Sequence, residues 1–322
     1  MILHFIRHGD TLQSVANQIN LENPLYIKEF HNQKCAREDY IFDDLVVGKK
    51  LFLPDNQTIQ KYNAKNDAPF KSPEQNPVIN FTPEEFNSRY KINITESSAD
   101  KRATFKKNSF SYNISLKWIE NELNEHVFHL SKSDFSNIND TKIGDLAIAC
   151  IQSINPIEIR TNFKGEMVRI NLLEETAKNF PRIKEKLLDQ FPDQYAKIYI
   201  EEFEFAVLNS EVFQKKMKED WFIKTYFANI RNEFKNGKSN VRLYLEGKNS
   251  LTDIQQTGLI SENYDIILTQ SFAGNQPENS AVFTGNYTLS QQQGTIKSLN
   301  IYYSYSEYNV IYSIDFQVNE IV

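Results

Sequence analysis

Large apolar side chains recur at every second position in one stretch of the chain, and this period constrains the fold more than any other feature. They are Phe110, Tyr112, Ile114, Leu116 and Trp118. Because successive side chains of a β-strand point to opposite faces, the alternation places all five on one face. That face has to be covered, so the sequence predicts a strand within a sheet that packs against other elements.

Strand-like and helical segments follow one another in blocks. A hairpin is predicted over 157–170, and helical stripes follow over 180–234, with Pro181 at a first helical position. After Gly237 the strand pattern returns at 241–245, 264–268, 282–289, 296–305 and 310–318. The order predicts an α+β fold, a large antiparallel sheet with about three helices packed on one face.

The length of the chain indicates more than one domain, because single hydrophobic cores stop growing near roughly 250 residues and this chain has 322. Between residues 55 and 108 the composition becomes rich in proline, asparagine and lysine, which is typical of a linker. We therefore expect a small N-terminal module over 1–54, a linker over 55–108 and an α+β domain over 109–322.

The charge and the cysteine content exclude several classes of function. A net charge of −6 gives no cationic field to attract phosphates, so neither nucleic acid nor an anionic membrane is an expected partner. The two cysteines, Cys35 and Cys150, form no Cys-x-x-Cys pair and predict neither a disulfide framework nor a thiolate zinc site. The sequence has no signal-peptide pattern and no apolar run long enough for a transmembrane helix. We expect the chain to be made in the cytoplasm, and export would require a dedicated secretion machine.

The N-terminal segment predicts the order strand, helix, helix, strand. An apolar strand over 3–6 ends at the turn Gly9-Asp10-Thr11, and the spacing of Asp10 and Gln13 is that of a helix-capping box. The first helix carries one apolar face, and Asn23-Pro24 predicts the start of a second helix that ends at Asn32. The closing strand lies over 48–54 and ends at a proline.

These residues resemble a LysM module, a small recognition fold. The opening His4 to Ala16, with Gly9-Asp10-Thr11-Leu12 followed by Val15-Ala16, is similar to the family's first turn and helix. The closing Gly48-Lys49-Lys50-Leu51-Phe52-Leu53-Pro54 is similar to its last strand, and Asn32 stands near the family's asparagine at the end of the second helix. The resemblance covers about residues 2 to 54 and says nothing of the rest of the chain.

The resemblance implies a function for the N-terminal module. LysM modules bind chains that contain N-acetylglucosamine, such as peptidoglycan, in a shallow groove and mainly through backbone groups. Here one wall of that groove would be Gly9, Asp10, Thr11 and Leu12, and the other would lie near Tyr40 and Ile41. The segment 33–47, which would form the second wall, is longer than is usual in the family. No catalytic residue, metal ligand or cofactor is implied.

Three other patterns in the sequence suggest a different chemistry. Arg7-His8-Gly9 also resembles the motif of histidine phosphatases, but that chemistry needs a second histidine and a further arginine at the same phosphate. The downstream histidines are His31, His126 and His129, and none of them is followed by glycine. A possible zinc-binding set would lie on one helical face, where we expect only a solvated surface; it is Glu122, Glu125, His126 and His129. Cys150 lies in an apolar run and predicts a buried small hydrophobe, not a nucleophile.

The sequence therefore favours a bacterial, non-enzymatic binding or adaptor protein with two domains. In one version the module binds an N-acetylglucosamine-containing glycan. In the other it docks onto a protein assembly, as an adaptor or cargo-loading component of a phage-tail-like injection or secretion apparatus. The large domain resembles no family.

Overall fold

The protein forms two compact units in the computed structural model, which describes residues 1–100, 105–136, 141–247, 251–273 and 281–321. We call the first, Met1–Asn76 with Lys235–Gly237, the N-terminal unit. The second, Pro77–Phe234 with Lys238–Val322, is the sheet unit. None of the helices in the described residues is both long enough and apolar enough to span a membrane.

The N-terminal unit contains two strands and three α-helices. Its two strands pair antiparallel, with Ile2 opposite Leu53 and Phe5 opposite Lys50. Its core is built around Val15, Ala16, Ile27 and Leu51, none of which is measurably exposed. The elements are β1 (Ile2–Phe5), α1 (Leu12–Gln18), α2 (Leu25–Lys34), β2 (Lys50–Leu53) and α3 (Asn56–Asn63).

The ends of α1 and α2 differ from the predicted ones. Thr11, not Asp10, caps α1: its hydroxyl accepts a hydrogen bond from the Ser14 N–H at 3.0 Å, and the Ser14 hydroxyl oxygen accepts one from the Thr11 N–H at 2.8 Å. A hydroxyl at each position completes the same reciprocal box that we assigned to Asp10 and Gln13. Helix α2 continues to Lys34 instead of ending at Asn32.

The sheet unit is built on one antiparallel sheet of eleven strands. Two meanders, β3 to β7 and β8 to β13, are joined by the pairing of the first strand with the last, where Ile94 lies opposite Phe316. The strands of the first meander are β3 (Asn87–Asp100), β4 (Phe105–Glu122), β5 (Glu125–Ser136), β6 (Ile157–Thr161) and β7 (Met167–Leu172). Those of the second are β8 (Lys238–Tyr244), β9 (Leu251–Ile260), β10 (Asp265–Ala273), β11 (Ala281–Ser290), β12 (Ile296–Glu307) and β13 (Val310–Ile321).

Helices interrupt the strands at two places, and the described residues contain five in this unit where about three were predicted. One lies between β5 and β6 and four lie between β7 and β8. They are α4 (Lys142–Ser153), α5 (Glu174–Gln190), α6 (Gln194–Leu208), α7 (Ser210–Glu219) and α8 (Trp221–Tyr226). Helices α7 and α8 are separated at Asp220, whose carboxylate caps α8 by accepting from the Ile223 N–H. Pro181 lies inside α5, not at its first position as predicted.

One face of the sheet packs against the helices and forms the main core. In β4 the predicted alternation is confirmed, because Tyr112, Ile114 and Leu116 are buried in this core. Helix α8 is almost enclosed, with Phe222 and Ile223 fully buried. A separate cluster joins α4, α5 and α6 through Leu146, Cys150, Leu187, Ala196 and Ile200.

The segment 55–108, expected to be a linker, has regular structure over much of its length. Its first part belongs to the N-terminal unit and includes α3. Its second part contains β3, in which Tyr90 and Ile92 are fully buried. The prolines that suggested a linker lie outside both elements, so the composition indicated where regular structure is absent and not where a unit ends.

Candidate functional site

The two predicted walls lie at the same end of the N-terminal unit. Because β1 and β2 are antiparallel, the loop that follows β1 and the loop that precedes β2 leave the sheet side by side. Two backbone hydrogen bonds extend the pairing into these loops: Ile6 N–H donates to the Lys49 carbonyl at 3.0 Å, and Gly48 N–H donates to the Ile6 carbonyl at 2.9 Å.

The first wall is the turn Gly9 to Leu12. Gly9 has a φ of +88°, which an L side chain rarely adopts, and is exposed. The Asp10 carboxylate accepts from the Arg7 N–H at 2.8 Å and contacts His4 Nε2 at 2.8 Å. The Arg7 hydrogen bond and then the His4 hydrogen bond lower the pKa of Asp10. Leu12 packs against the core, so the turn is fixed while the Gly9 backbone faces solvent.

The second wall is held by the side-chain amide of Asn32. Its Oδ1 accepts from the Ile41 N–H at 2.9 Å, and its Nδ2 donates to the Ile41 carbonyl at 3.0 Å. Ile41 is buried in the core on which Leu12 also packs, so both walls rest on the same cluster. Tyr40 is exposed, and its ring centroid lies 6.3 Å from that of Phe42.

A buried histidine supports the second wall from below. His31 Nδ1 accepts from the Phe52 N–H at 3.1 Å, and its Nε2 lies 3.0 Å from the Asp39 carbonyl oxygen. A neutral ring protonated on Nε2 satisfies both contacts. Asp39 is also bound through its carboxylate to Lys49 Nζ at 3.0 Å. These bonds tie the end of α2, the loop and β2 together.

Exposed apolar side chains follow directly after the second wall. Phe42, Val46 and Val47 are 69%, 57% and 59% exposed. The Lys28 ammonium donates to the Phe42 carbonyl and so anchors this part of the loop to α2. The unusual length of segment 33–47 was visible in the sequence, but the exposure of these apolar side chains was not.

The histidines of the N-terminal unit bear on the phosphatase alternative. His8 and Arg7 are exposed in the turn after β1. His4 contacts Asp10, and both ring nitrogens of His31 are engaged with backbone groups. His31 is therefore unavailable as the partner that phosphoryl transfer to His8 would need.

The residues considered for zinc lie on strands, and the helical face expected for them is wrong. Glu122 ends β4 and the other three belong to β5, after a turn at Leu123 and Asn124. The carboxylates of Glu122 and Glu125 bind Arg160 and Arg169, so they are ion-paired instead of free to bind a cation. Within the described part of the chain no three His, Cys, Asp or Glu side chains are grouped to hold a metal.

Cys150 is buried, as predicted, in the cluster between α4, α5 and α6. Burial raises the pKa of its thiol to about 11. The thiolate that a nucleophile requires is therefore scarce at neutral pH.

The sequence did not reveal a cavity of about 840 Å³ in the sheet unit. Helices α4, α6 and α7 and strands β5 and β6 form its walls. Its lining comes from three stretches of the sequence, 130–132, 151–157 and 198–220, and no single motif marks them. The available signal was α6 itself, an apolar helix on which Tyr195, Ile198 and Phe205 remain exposed.

Comparisons with known proteins give no family for this chain. No family model matches it. No curated protein matches it either. Among solved structures, one of lipovitellin, described as lipid–protein interactions in lipovitellin, is similar with a TM-score of 0.40 and 9% identity. The similarity covers 73% of this chain and 25% of that chain, so the match spans about a quarter of lipovitellin.

A LolA superfamily protein from Nitrosomonas europaea is similar with a TM-score of 0.14 and 5% identity, over 74% of this chain and 86% of that one. Both scores are too low to support an argument about fold or function.

Proposed function

We propose that this chain is a non-catalytic binding or adaptor protein whose N-terminal unit is a LysM-type recognition module. The observation that carries the proposal is the placement of Gly9 to Leu12 and of Tyr40 and Ile41 in two loops at one end of a two-stranded sheet. Both loops rest on one core, so they are held in place without a ligand. A preformed site of this kind needs little ordering when it binds.

The ligand that fits this surface is a chain containing N-acetylglucosamine. Exposed backbone around Gly9 offers hydrogen-bonding groups, and the exposed Tyr40 ring offers a flat apolar surface for a sugar. Such a site exchanges water contacts for protein contacts at small net gain, so binding by one module is weak. We expect roughly millimolar affinity, which corresponds to about 4 kcal/mol.

The test is a titration of the full chain with soluble N-acetylglucosamine oligomers, followed by the amide resonances of Gly9, Asp10 and Thr11. These amides should shift at roughly millimolar sugar. Tyr40→Ala should weaken the response, whereas Tyr308→Ala, which removes a more exposed tyrosine from the turn between β12 and β13, should not. Unchanged amides at the highest soluble concentration would refute glycan binding.

The exposed Phe42, Val46 and Val47 favour a second candidate, docking onto a protein assembly. Exposed apolar groups beside a polar surface are typical of protein contacts, and aromatic residues are enriched there. In this version the chain would be an adaptor or cargo-loading component of an injection or secretion apparatus, and the module would dock it onto that assembly. A photo-crosslinking amino acid at Phe42, introduced in the producing cell, should then capture one defined protein, whereas the same group at the exposed Tyr264 should not. Equal capture from both positions would reject this candidate.

A further inference from the structure

The cavity in the sheet unit has walls that are mostly aliphatic and aromatic. Strands β5 and β6 contribute Leu130 and Ile157, and the helices contribute a larger set. From α4 and its end come Ile151 and Ile154, from α6 Phe203, Ala206 and Val207, and from α7 Val212, Phe213 and Met217. Leu130, Ile157, Val207 and Phe213 are also buried members of the main core, so these walls are fixed.

The cavity is too large to be a packing defect. Protein interiors contain few voids larger than one water molecule, whereas sites for small molecules measure roughly 300–1,000 Å³. At about 840 Å³ this cavity falls in the second class. Apolar walls offer water few hydrogen-bonding partners, so the space favours an apolar occupant.

The mouth of the cavity is apolar as well. Ile198 and Tyr199 on α6 belong to the lining and remain 48% and 38% exposed, and Phe205 is 63% exposed. Three large side chains on one helix therefore lie between the cavity and solvent. They leave an apolar entry for a chain-like molecule and form part of the wall once it is bound.

The charged groups of the lining decide the head group of the ligand. Lys132 is the basic group on the sheet side, and its ammonium binds the Asp220 carboxylate; the two side chains are only 14% and 16% exposed. The other charges are Lys216 on α7 and Glu201 and Glu202 on α6. Lys132 is already paired with Asp220, so it does not neutralise a carboxylate. The remaining three charged side chains of the lining are exposed, and the two glutamates outnumber Lys216, so their net negative charge disfavours a carboxylate.

We propose that the cavity binds one acyl lipid with a chain of about 12 to 16 carbons and an uncharged polar head, such as a monoacylglycerol. A methylene group takes up about the volume of a water molecule, so such a chain fills roughly 360–480 Å³ and leaves room for a small polar head. The apolar walls hold the chain. The Asn155 amide is fixed by the Lys132 backbone: its Oδ1 accepts from the N–H at 3.1 Å and its Nδ2 donates to the carbonyl at 2.8 Å. Hydroxyl groups of the head hydrogen-bond the second N–H of this amide and the Lys132–Asp220 pair without changing the charge of the site.

The test uses the full chain and displacement of Nile red, an uncharged dye that fluoresces in apolar sites. Monolaurin should displace the dye with a saturable curve, and laurate, which differs in its charged head, should be weaker by about tenfold or more. Absence of saturable displacement by monolaurin overturns the proposal. Equal potency of laurate overturns the assignment of an uncharged head.

Three substitutions identify the cavity as the binding site. Ala206→Trp and Val212→Trp, on α6 and α7, fill it from two independent positions and should each weaken monolaurin by about tenfold or more. Lys197→Trp adds the same side chain to an exposed position of α6 outside the lining and should leave binding unchanged. Circular dichroism identifies a variant that fails to fold, and the other filled position then decides. Unchanged monolaurin affinity in a folded filled variant overturns the assignment.

A fourth substitution tests the charge argument. Asp220→Asn frees the Lys132 ammonium while its side-chain oxygen can still accept from the Ile223 N–H. Laurate should gain affinity relative to monolaurin by about tenfold, because a cation in an apolar site binds a carboxylate. A purely structural role of the pair would weaken both ligands alike, and that result would overturn the role assigned to Lys132.

Discussion

Replacing Asn32 with leucine tests how the second wall of the proposed recognition surface is held. The substitution keeps the size of the side chain and removes both hydrogen bonds to the Ile41 backbone, of 2.9 and 3.0 Å. Ile41 is only 6% exposed, so its N–H and carbonyl would be left with little water to replace the lost partner. An unsatisfied buried group costs about 1–3 kcal/mol. The substitution also removes the cost of partly burying the Asn32 amide, which offsets some of this loss. We expect the stability of the N-terminal unit to fall by a net of about 2–4 kcal/mol.

The assay has to separate the two units. Both tryptophans, Trp118 and Trp221, lie in the sheet unit, so tryptophan fluorescence during urea unfolding reports on that unit. Hydrogen exchange of backbone amides in residues 1–60 reports on the other. Asn32→Leu should speed exchange in the N-terminal unit by the equivalent of about 2–4 kcal/mol and leave the fluorescence transition in place.

A neighbouring substitution provides the matched control. Gln33 is exposed on the same helix, and its side-chain amide donates a hydrogen bond to the Glu29 carboxylate, one turn away, at 3.2 Å. Gln33→Leu should therefore change exchange by no more than about 0.5 kcal/mol. If Asn32→Leu and Gln33→Leu gave the same exchange rates, the amide of Asn32 would not hold the wall and the argument for a preformed surface would fail.

Two further predictions concern the sheet unit. Gly294→Ala should destabilise this unit by about 3–5 kcal/mol, because the φ of +66° disfavours a side chain and the new Cβ would lie 2.0 Å from the Asn80 carbonyl oxygen; a urea midpoint within error of the parent would contradict this. Lys224 is almost enclosed, with its ammonium 3.4 Å from the Trp221 ring centroid and 3.8 Å from a Glu246 carboxylate oxygen, and burial lowers its pKa to about 8. The unfolded chain keeps this proton to higher pH, so the free energy of unfolding should rise by about 2 kcal/mol between about pH 7 and about pH 9.5, and Lys224→Met should abolish the rise. An equal rise in the variant would assign it to other groups.

The elements that could be predicted from the sequence are those in which apolar residues recur at a regular spacing along the chain. In β4, Tyr112, Ile114 and Leu116 face the core at every second position, and that spacing is visible without any structure. The β6–β7 hairpin was also predictable, since Gly165 supplies the positive φ of +74° that its turn needs. Local chemistry alone sets these features.

Strands with polar side chains facing the core were missed. In β9 the buried positions include Gln256, whose amide donates to the Ile230 carbonyl at 2.8 Å and whose carbonyl oxygen accepts from Gln270 at 2.8 Å. The partners come from distant segments, so hydrophobic periodicity cannot show that a glutamine is inside. Conversely, Glu122 and His126 have helical spacing only because a turn with positive φ at Leu123 and Asn124 separates them.

The proposed recognition surface was predictable as a set of residues but not as a structure. The Gly9 turn could be read from local chemistry, because a glycine and a capping hydroxyl are needed where a strand turns into a helix. The second wall could not, since Tyr40 and Ile41 depend on hydrogen bonds from Asn32 and on a histidine, His31, that reaches β2. Those bonds connect positions that are 9 and 21 residues apart.

Helix α6 shows why a cavity escapes sequence analysis even when the helix that lines it is recognised. Ala196 and Ile200 on one part of its surface pack in the cluster with α4 and α5, and Phe203 and Val207 face the cavity. Both sets are apolar, and their spacing would be the same if the cavity were filled by protein side chains. The difference lies in Phe205, which is 63% exposed although Val207, two residues later, is buried. Phe205 can be exposed in this way because the residues beside it line a site that a bound ligand would complete. To see this, one has to know how α4, α6 and α7 are arranged in space.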